Sequence, residues 1–125
     1  MNLLYKSKVF KGEQVGRTID FPTVNLDVTI IPKDTKQGVY ASWVTVNGQT
    51  YKGALYYGPR LVFNEVNVVL EIYILDFSGD LYGQEVNFTI HDFIRPPLDF
   101  DTLDGLKAQL KADVTKVNMC LTTRA

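Results

Sequence analysis

An asparagine followed by glycine, set between two runs of β-branched and aromatic residues, leaves a chain few choices. Asn47-Gly48 is that pair here. Both residues tolerate positive φ, which the two central positions of a type I′ turn require. Before it, Gly38-Val39-Tyr40-Ala41-Ser42-Trp43-Val44-Thr45-Val46 is rich in side chains that suit a pleated strand. After it, Gln49 to Tyr57 returns as the partner strand. Gly58-Pro59 ends that strand, because proline has no N–H to donate to a ladder. The centre of the chain is therefore an antiparallel hairpin.

The flanking segments extend it. Ser7-Lys8-Val9-Phe10 reads as part of a first strand. Leu26 to Lys36 carries Pro32 and several polar residues and reads as an irregular crossing. Val66 to Phe77 is the longest strand candidate, with Val66, Val68, Leu70, Ile72, Ile74 and Asp76 on one face. Ser78-Gly79-Asp80 turns the chain and Gln84 to Phe93 pairs back. Several strands with turn signals and no helix between them predict a closed barrel. The end differs: Leu103, Leu106, Leu110, Val114, Val117 and Leu121 recur at helical spacing. Asp101 or Thr102 is placed to cap that helix. The expected fold is mainly β: a small closed antiparallel β-barrel of Greek-key type with a C-terminal α-helix. With 125 residues, 1–125 is one domain by size.

Composition narrows the function classes. There are 13 basic and 14 acidic residues, for a net charge of −1. That lacks the basic excess on which non-specific nucleic-acid binding depends, so no nucleic-acid partner is expected. No apolar run approaches a bilayer span and the start has no long apolar signal segment, so no membrane partner is expected either. The single cysteine, Cys120, has no internal disulfide partner, which fits a reducing cytoplasm. The one histidine, His91, has no cluster of ligand spacing around it and reads as structural.

The chemistry concentrates in Gly16-Arg17-Thr18-Ile19-Asp20-Phe21-Pro22-Thr23-Val24-Asn25. Arg17 offers a fork of donors suited to phosphate. Pro22 fixes its own φ and pushes Phe21 toward extended geometry. Thr23 and Asn25, two apart, point the same way in an extended segment. Two neutral oxygens are a poor metal cage alone, but they suit Mg²⁺ already carried by nucleotide phosphates. The plain alternative is a turn, since all these are ordinary loop residues. Upstream, Gly12-Glu13-Gln14-Val15-Gly16 lacks the Gly-Lys-Ser/Thr of a Walker A loop. It is either a flap over phosphates or a hairpin connection.

Glu71 is the one acid in the middle of an apolar strand, where glutamate is depleted and a buried carboxylate is expensive to ionise. Either it faces solvent on a half-exposed sheet, or it opens into a cleft as a general base. Its same-face neighbours, Val69 and Tyr73, are large and partly apolar, which favours a shielded site with a raised pKa.

Five ordered segments resemble the riboflavin kinases, including the kinase module of bacterial bifunctional FAD synthetases. Gly16 to Asn25 is similar to that family's Gly-Arg-x-x-Gly-Phe-Pro-Thr-Ala-Asn, with Asp20 and Val24 as departures. Gly38-Val39-Tyr40-Ala41 matches its Gly-Val-Tyr-Ala strand. Leu70-Glu71-Ile72-Tyr73-Ile74-Leu75-Asp76-Phe77 resembles the strand that carries its catalytic glutamate. Leu81-Tyr82-Gly83 and Ile94-Arg95-Pro96 resemble its Leu-Tyr-Gly turn and Ile-Arg-Pro segment. A further departure is Gly58-Pro59-Arg60-Leu61-Val62-Phe63, where the family often has Gly-x-Arg-Pro-Thr-Phe.

The resemblance implies transfer of the ATP γ-phosphoryl group to the ribityl 5′-hydroxyl of riboflavin, giving FMN and ADP. It implies Glu71 as the base, and Thr23 and Asn25 on Mg²⁺ or another divalent cation. Gly12, Gly16, Arg17, Phe21 and Pro22 would close the nucleotide site with them, and Arg95 and Phe100 would lie on the flavin side. The adenylyltransferase domain usual in bacterial relatives is not expected within this chain. Two other readings compete: a flavin- or nucleotide-binding regulatory module with impaired catalysis, and a barrel for single-stranded nucleic acid. The second of these needs a basic groove with stacking aromatics.

Asp20 sets up a test. A carboxylate at about 4 Å from a phosphate charge repels it by roughly 1–4 kcal/mol, depending on the effective dielectric. Asp20→Gly is expected to tighten MgATP binding, more at low salt because exposed charges are screened. Unchanged or weaker affinity in a low-salt titration refutes the repulsion.

Overall fold

A computed structural model describes residues 4–10, 23–59, 67–98 and 102–122. Six strands form one antiparallel sheet: β1 (Leu4–Lys8), β2 (Val24–Leu26), β3 (Gly38–Val46), β4 (Gln49–Pro59), β5 (Val68–Ile74) and β6 (Glu85–Arg95). One helix, α1 (Leu103–Thr122), follows. The strand order is β1-β6-β3-β4-β5-β2. Strands β3, β4 and β5 are consecutive antiparallel neighbours and β6 returns to lie beside β3, which is Greek-key connectivity. The sheet curls until its two edge strands meet. They meet through an isolated bridge between Phe10 and Asn25, with the Phe10 N–H donating to the Asn25 carbonyl at 2.8 Å. The Asp27 N–H also donates to Ser7 Oγ at 2.9 Å.

Alternation along the strands sorts the side chains into two layers. The concave layer draws on every strand, with Leu26, Val44, Leu55, Leu70, Ile72, Val86 and Phe88 buried and Tyr5 packed against them. The convex layer is smaller. Ala41, Ala54 and Leu75 meet Val117 and Leu121 of α1, with Trp43, Tyr73, Ile94 and Val114 at the margin. The opposed alanines of β3 and β4, Ala41 and Ala54, let the helix approach the sheet closely.

Much of this follows the sequence-based expectation. β3 has the expected bounds, and its hairpin carries positive φ at both Asn47 and Gly48, as a type I′ turn requires. Thr102 caps the helix, its Oγ1 accepting from the Gly105 N–H at 3.0 Å. Asp101 lies outside the described residues.

Four expectations are corrected. The first strand is Leu4–Lys8, so Val9 and Phe10 follow it rather than belong to it. The second is Leu26, which ends the short strand β2 rather than opening the irregular crossing expected from Leu26 to Lys36. Only a single 3₁₀ turn at Val28–Ile30 follows before β3. The third is β5, which covers seven residues, Val68–Ile74, where a longer strand to Phe77 is expected. It ends because Asp76 takes φ +60, a left-handed conformation that leaves the sheet, while the Leu75 N–H donates to the Lys52 carbonyl. Conversely β4 runs through Gly58 and Pro59, where proline ends a strand without leaving a ladder donor unmet. The fourth correction is topological. β6 pairs with β1 and β3, not back onto β5.

Within α1 one position breaks the apolar stripe. Asp113 is 1% exposed. Its carboxylate takes both Nε and Nη2 of Arg95, each at 2.8 Å, and Nε2 of Gln109 at 3.0 Å. Arg95 ends β6, so this bidentate pair ties the helix to the sheet. Removing one member of a buried pair strands the other charge, at a typical penalty of about 3–5 kcal/mol. Asp113→Leu is expected to lose that much in urea unfolding, and Arg95→Met combined with Asp113→Leu to recover most of it. A single variant as stable as the parent would show that Arg95 finds water instead.

Candidate active site

The convex face carries a row of residues that the register aligns across the sheet. Arg95 of β6 pairs with Val39 of β3, Val39 with Tyr56 of β4, Tyr56 with Glu71 of β5, and Glu71 with Asn25 of β2. Directly opposed residues of an antiparallel pair share a face, with Cβ atoms about 5 Å apart. Glu71 and Asn25 are therefore immediate neighbours, although one belongs to a central strand and the other to an edge. Arg95 stands three strand spacings from Glu71, about 14–15 Å along the same row.

The sheet makes this arrangement because β5 is two-faced. Leu70, Ile72 and Ile74 are buried in the concave core. Val69, Glu71 and Tyr73 face the other way and are half-buried. Glu71 is thus partly shielded rather than fully exposed. β2 is oriented by the same rule, since Leu26 is buried opposite Leu70 and so turns Asn25 toward Glu71. Thr23 immediately precedes β2, and strand alternation carried back by one step places it on the face of Asn25. Both are half-buried. Phe10 holds the Asn25 carbonyl from the far side of the seam.

The donor set decides what cation fits. Among the described residues no group of three or more His, Cys, Asp or Glu converges. Thr23 and Asn25 contribute two neutral oxygens beside one carboxylate. That set fits Mg²⁺ that keeps phosphate and water ligands of its own, and it does not fit a zinc cage.

Tyr56 and Asp113 are two residues of this face that sequence reasoning missed. Tyr56 lies beside Glu71 in the row, and its hydroxyl donates to the Pro59 carbonyl. Nothing in the strand pattern distinguishes it from its neighbour Tyr57, which is buried in the concave core. Asp113 was detectable: it lies three residues after Leu110 and four before Val117, on the face that packs. Arg95, expected on the flavin side, directs three donor groups to Asp113 and to the Pro96 carbonyl, the last at 3.1 Å. Beyond it, Phe93 packs edge-on to Tyr40, and Lys36 Nζ lies 4.2 Å from the Phe93 ring centroid. Burial holds the Tyr40 phenol above its ordinary pKa, and its hydroxyl donates to the Lys36 carbonyl at 2.5 Å. His91 is bonded to Thr89 Oγ1 at 2.7 Å, consistent with its structural reading.

Gly12, Gly16, Arg17, Asp20, Phe21, Pro22 and Phe100 lie outside the described residues, as do Arg60, Leu61 and Val62.

The convex face of this curled Greek-key sheet thus sets the Glu71 carboxylate opposite Asn25, with Thr23 one alternation step before it. The family description "Flavokinase: Riboflavin kinase" matches residues 2–121. The chain belongs to the riboflavin kinase family. It is 41% identical over 112 residues to the bifunctional riboflavin kinase/FMN adenylyltransferase of Listeria monocytogenes, covering 86% of this chain and 35% of that protein. It is 37% identical over 110 residues to the RNA-binding riboflavin kinase RibR of Bacillus subtilis, covering 87% of this chain and 47% of that one. The chain therefore spans between about a third and a half of the length of these curated relatives. Among solved structures, a Streptococcus pneumoniae chain named a macrolide-efflux protein superposes with TM-score 0.77 at 33% identity. That match covers 94% of this chain and 38% of the other. Riboflavin kinase from Trypanosoma brucei superposes with TM-score 0.64 at 26% identity, over 95% of this chain and 79% of that one. Among the described residues no helix is long and apolar enough to cross a membrane.

Thr23→Val and Asn25→Leu remove the oxygens with little change in volume. Both are expected to weaken ATP binding in the presence of Mg²⁺ more than in its absence, as read by calorimetry. Equal losses in the two conditions would assign these residues to the fold instead.

Proposed function

We propose that this chain phosphorylates the ribityl 5′-hydroxyl of riboflavin, using ATP and releasing FMN and ADP. The observation that supports the reading is the register pair Asn25–Glu71, which makes the side chain proposed as metal ligand a neighbour of the proposed proton acceptor. Family membership supplies the substrate class, and the sheet supplies an arrangement that suits it.

In this reading Thr23 and Asn25 hold the cation that accompanies ATP. A Mg²⁺ held there would supply positive charge to offset that of the phosphates. Glu71 accepts the proton of the 5′-hydroxyl as that oxygen attacks the γ-phosphorus. The bond to the β-phosphate oxygen breaks, and ADP carries away the released electron pair. Gly12, Gly16, Arg17, Phe21 and Pro22 close over the nucleotide, and Arg95 and Phe100 border the flavin. Phosphoryl transfer needs little covalent work from the protein, so positioning and charge carry most of the catalysis. No observation favours the impaired regulatory module. The RNA binding in the name of one relative belongs to that protein, which extends well beyond the matched region.

Glu71→Gln keeps the shape and removes the proton acceptor. Turnover should fall by about 10²–10⁴-fold, the usual contribution of a positioned base, while riboflavin binding changes little. Near-normal turnover removes Glu71 from the mechanism. Chromatography of a long incubation of the pure chain with riboflavin, ATP and Mg²⁺ should give FMN without FAD. FAD would reveal a second, adenylyl-transferring activity.

A further inference from the structure

Asp113 is buried, charged and far from the reacting atoms. Packing does not require an acid there: its helix contributes Val117 and Leu121 to an apolar cluster, and an apolar residue would suit the same face. Buried ion pairs are often no more stable than the hydrophobic pairs that can replace them. The pair's geometry gives it another consequence.

Arg95 grips two things at once. Nε and Nη2 hold the Asp113 carboxylate in a two-pronged contact, and Nη1 donates to the Pro96 carbonyl. Gln109 donates to the same carboxylate and leaves it little freedom to swing. The exit direction of β6 is thereby set against the helix. Pro96 and Pro97 follow, and each fixes its own φ, so the direction set at Arg95 is carried forward with little slack. Pro97 arrives beside Gly58. A Cβ built on Gly58 would stand 3.4 Å from Pro97 Cγ and 3.0 Å from Tyr56 Oη. The missing side chain is what lets Pro97 and the Tyr56 hydroxyl close on the same spot. Gly58 also has φ +155, a conformation L residues rarely adopt. Tyr56 is the residue beside Glu71 in the row. From Asp113 the sequence of neighbours is thus Arg95, then Pro96 and Pro97, then Gly58, around which Pro97 and the Tyr56 hydroxyl gather, with Tyr56 on the side of Glu71 away from Asn25.

We propose that Asp113 is a positioning residue for the flavin side of the site: by holding Arg95 it sets the Pro96-Pro97 segment against Tyr56, next to the base. The inference rests on the riboflavin kinase reading. It predicts a one-sided defect, because the nucleotide side is built on β2 at the opposite flank of Glu71, with no member among these neighbours.

The test compares the parent with Asp113→Asn and with the double variant Arg95→Met/Asp113→Leu. The double variant restores an apolar match and shows what stability alone contributes. Because Arg95 itself is read as bordering the flavin, Asp113→Asn, which keeps Arg95, decides on positioning. Riboflavin affinity is read by quenching of flavin fluorescence, and KM is measured for each substrate alongside urea unfolding. Slight misplacement of an orienting group can lose up to about 10²-fold, so riboflavin KM and Kd should rise about tenfold or more in both variants. MgATP KM should stay within about twofold of the parent, a split that general loosening would not produce. Parental riboflavin affinity in Asp113→Asn or in a stable double variant overturns the proposal, and so do equal losses for both substrates in Asp113→Asn. If the double variant does not fold, Asp113→Asn still decides by these criteria. Absence of FMN from the parent strikes the functional reading alone, since the fluorescence titration still reads the positioning. A parent that does not bind riboflavin overturns both.

Discussion

Three residues of edge strand, Val24–Leu26, hold the candidate site together. Their pairing with β5 is short, and an edge strand of this length has little stability of its own. It is held from both sides. Leu26 is buried against Leu70, and the Asn25 carbonyl accepts from Phe10 across the seam where the curled sheet meets itself. Ser7 Oγ takes the next free donor, the Asp27 N–H. A one-residue slip of β2 would turn Asn25 into the core and bring out Val24 and Leu26, so burial of Leu26 and the outward orientation of Asn25 are one constraint.

The same logic explains why Glu71 faces outward from β5 and the helix lies where it does. A curled sheet buries its concave face within itself and needs cover on only part of its convex face. Helix α1 covers the part above Ala41 and Ala54, where small side chains admit it. The remainder, from Tyr56 outward to β2, carries the polar residues. The helix end of the row is Arg95 and the open end is Asn25, and Glu71 lies between them. A carboxylate on a strand is held more rigidly than one on a loop, which suits the role proposed for Glu71.

A likeness of folds alone does not assign a function. The weight falls on the family match across residues 2–121 and on the residues brought together at the site. Neither depends on the sheet alone.

Local physics was sufficient for part of this protein. The Asn47-Gly48 hairpin, the β3 bounds, the Thr102 cap and the two-faced character of β5 all follow from neighbouring residues, because turn chemistry and side-chain alternation act over a few positions. Thr23, Asn25 and Glu71 were singled out one by one, but local physics left a plain turn and a solvent-facing acid as open alternatives, and the family resemblance supplied their expected roles. Their adjacency was not legible. It depends on which strands pair, and pairing between distant segments is settled by how the whole sheet buries its concave face. That is why β6 was expected on β5 and lies on β1 and β3 instead. Asp113 and Tyr56 belong to this second kind of information. An acid among leucines and one tyrosine of a pair acquire meaning only when the strand ending in Arg95 is laid against the helix and Glu71 is laid against β2.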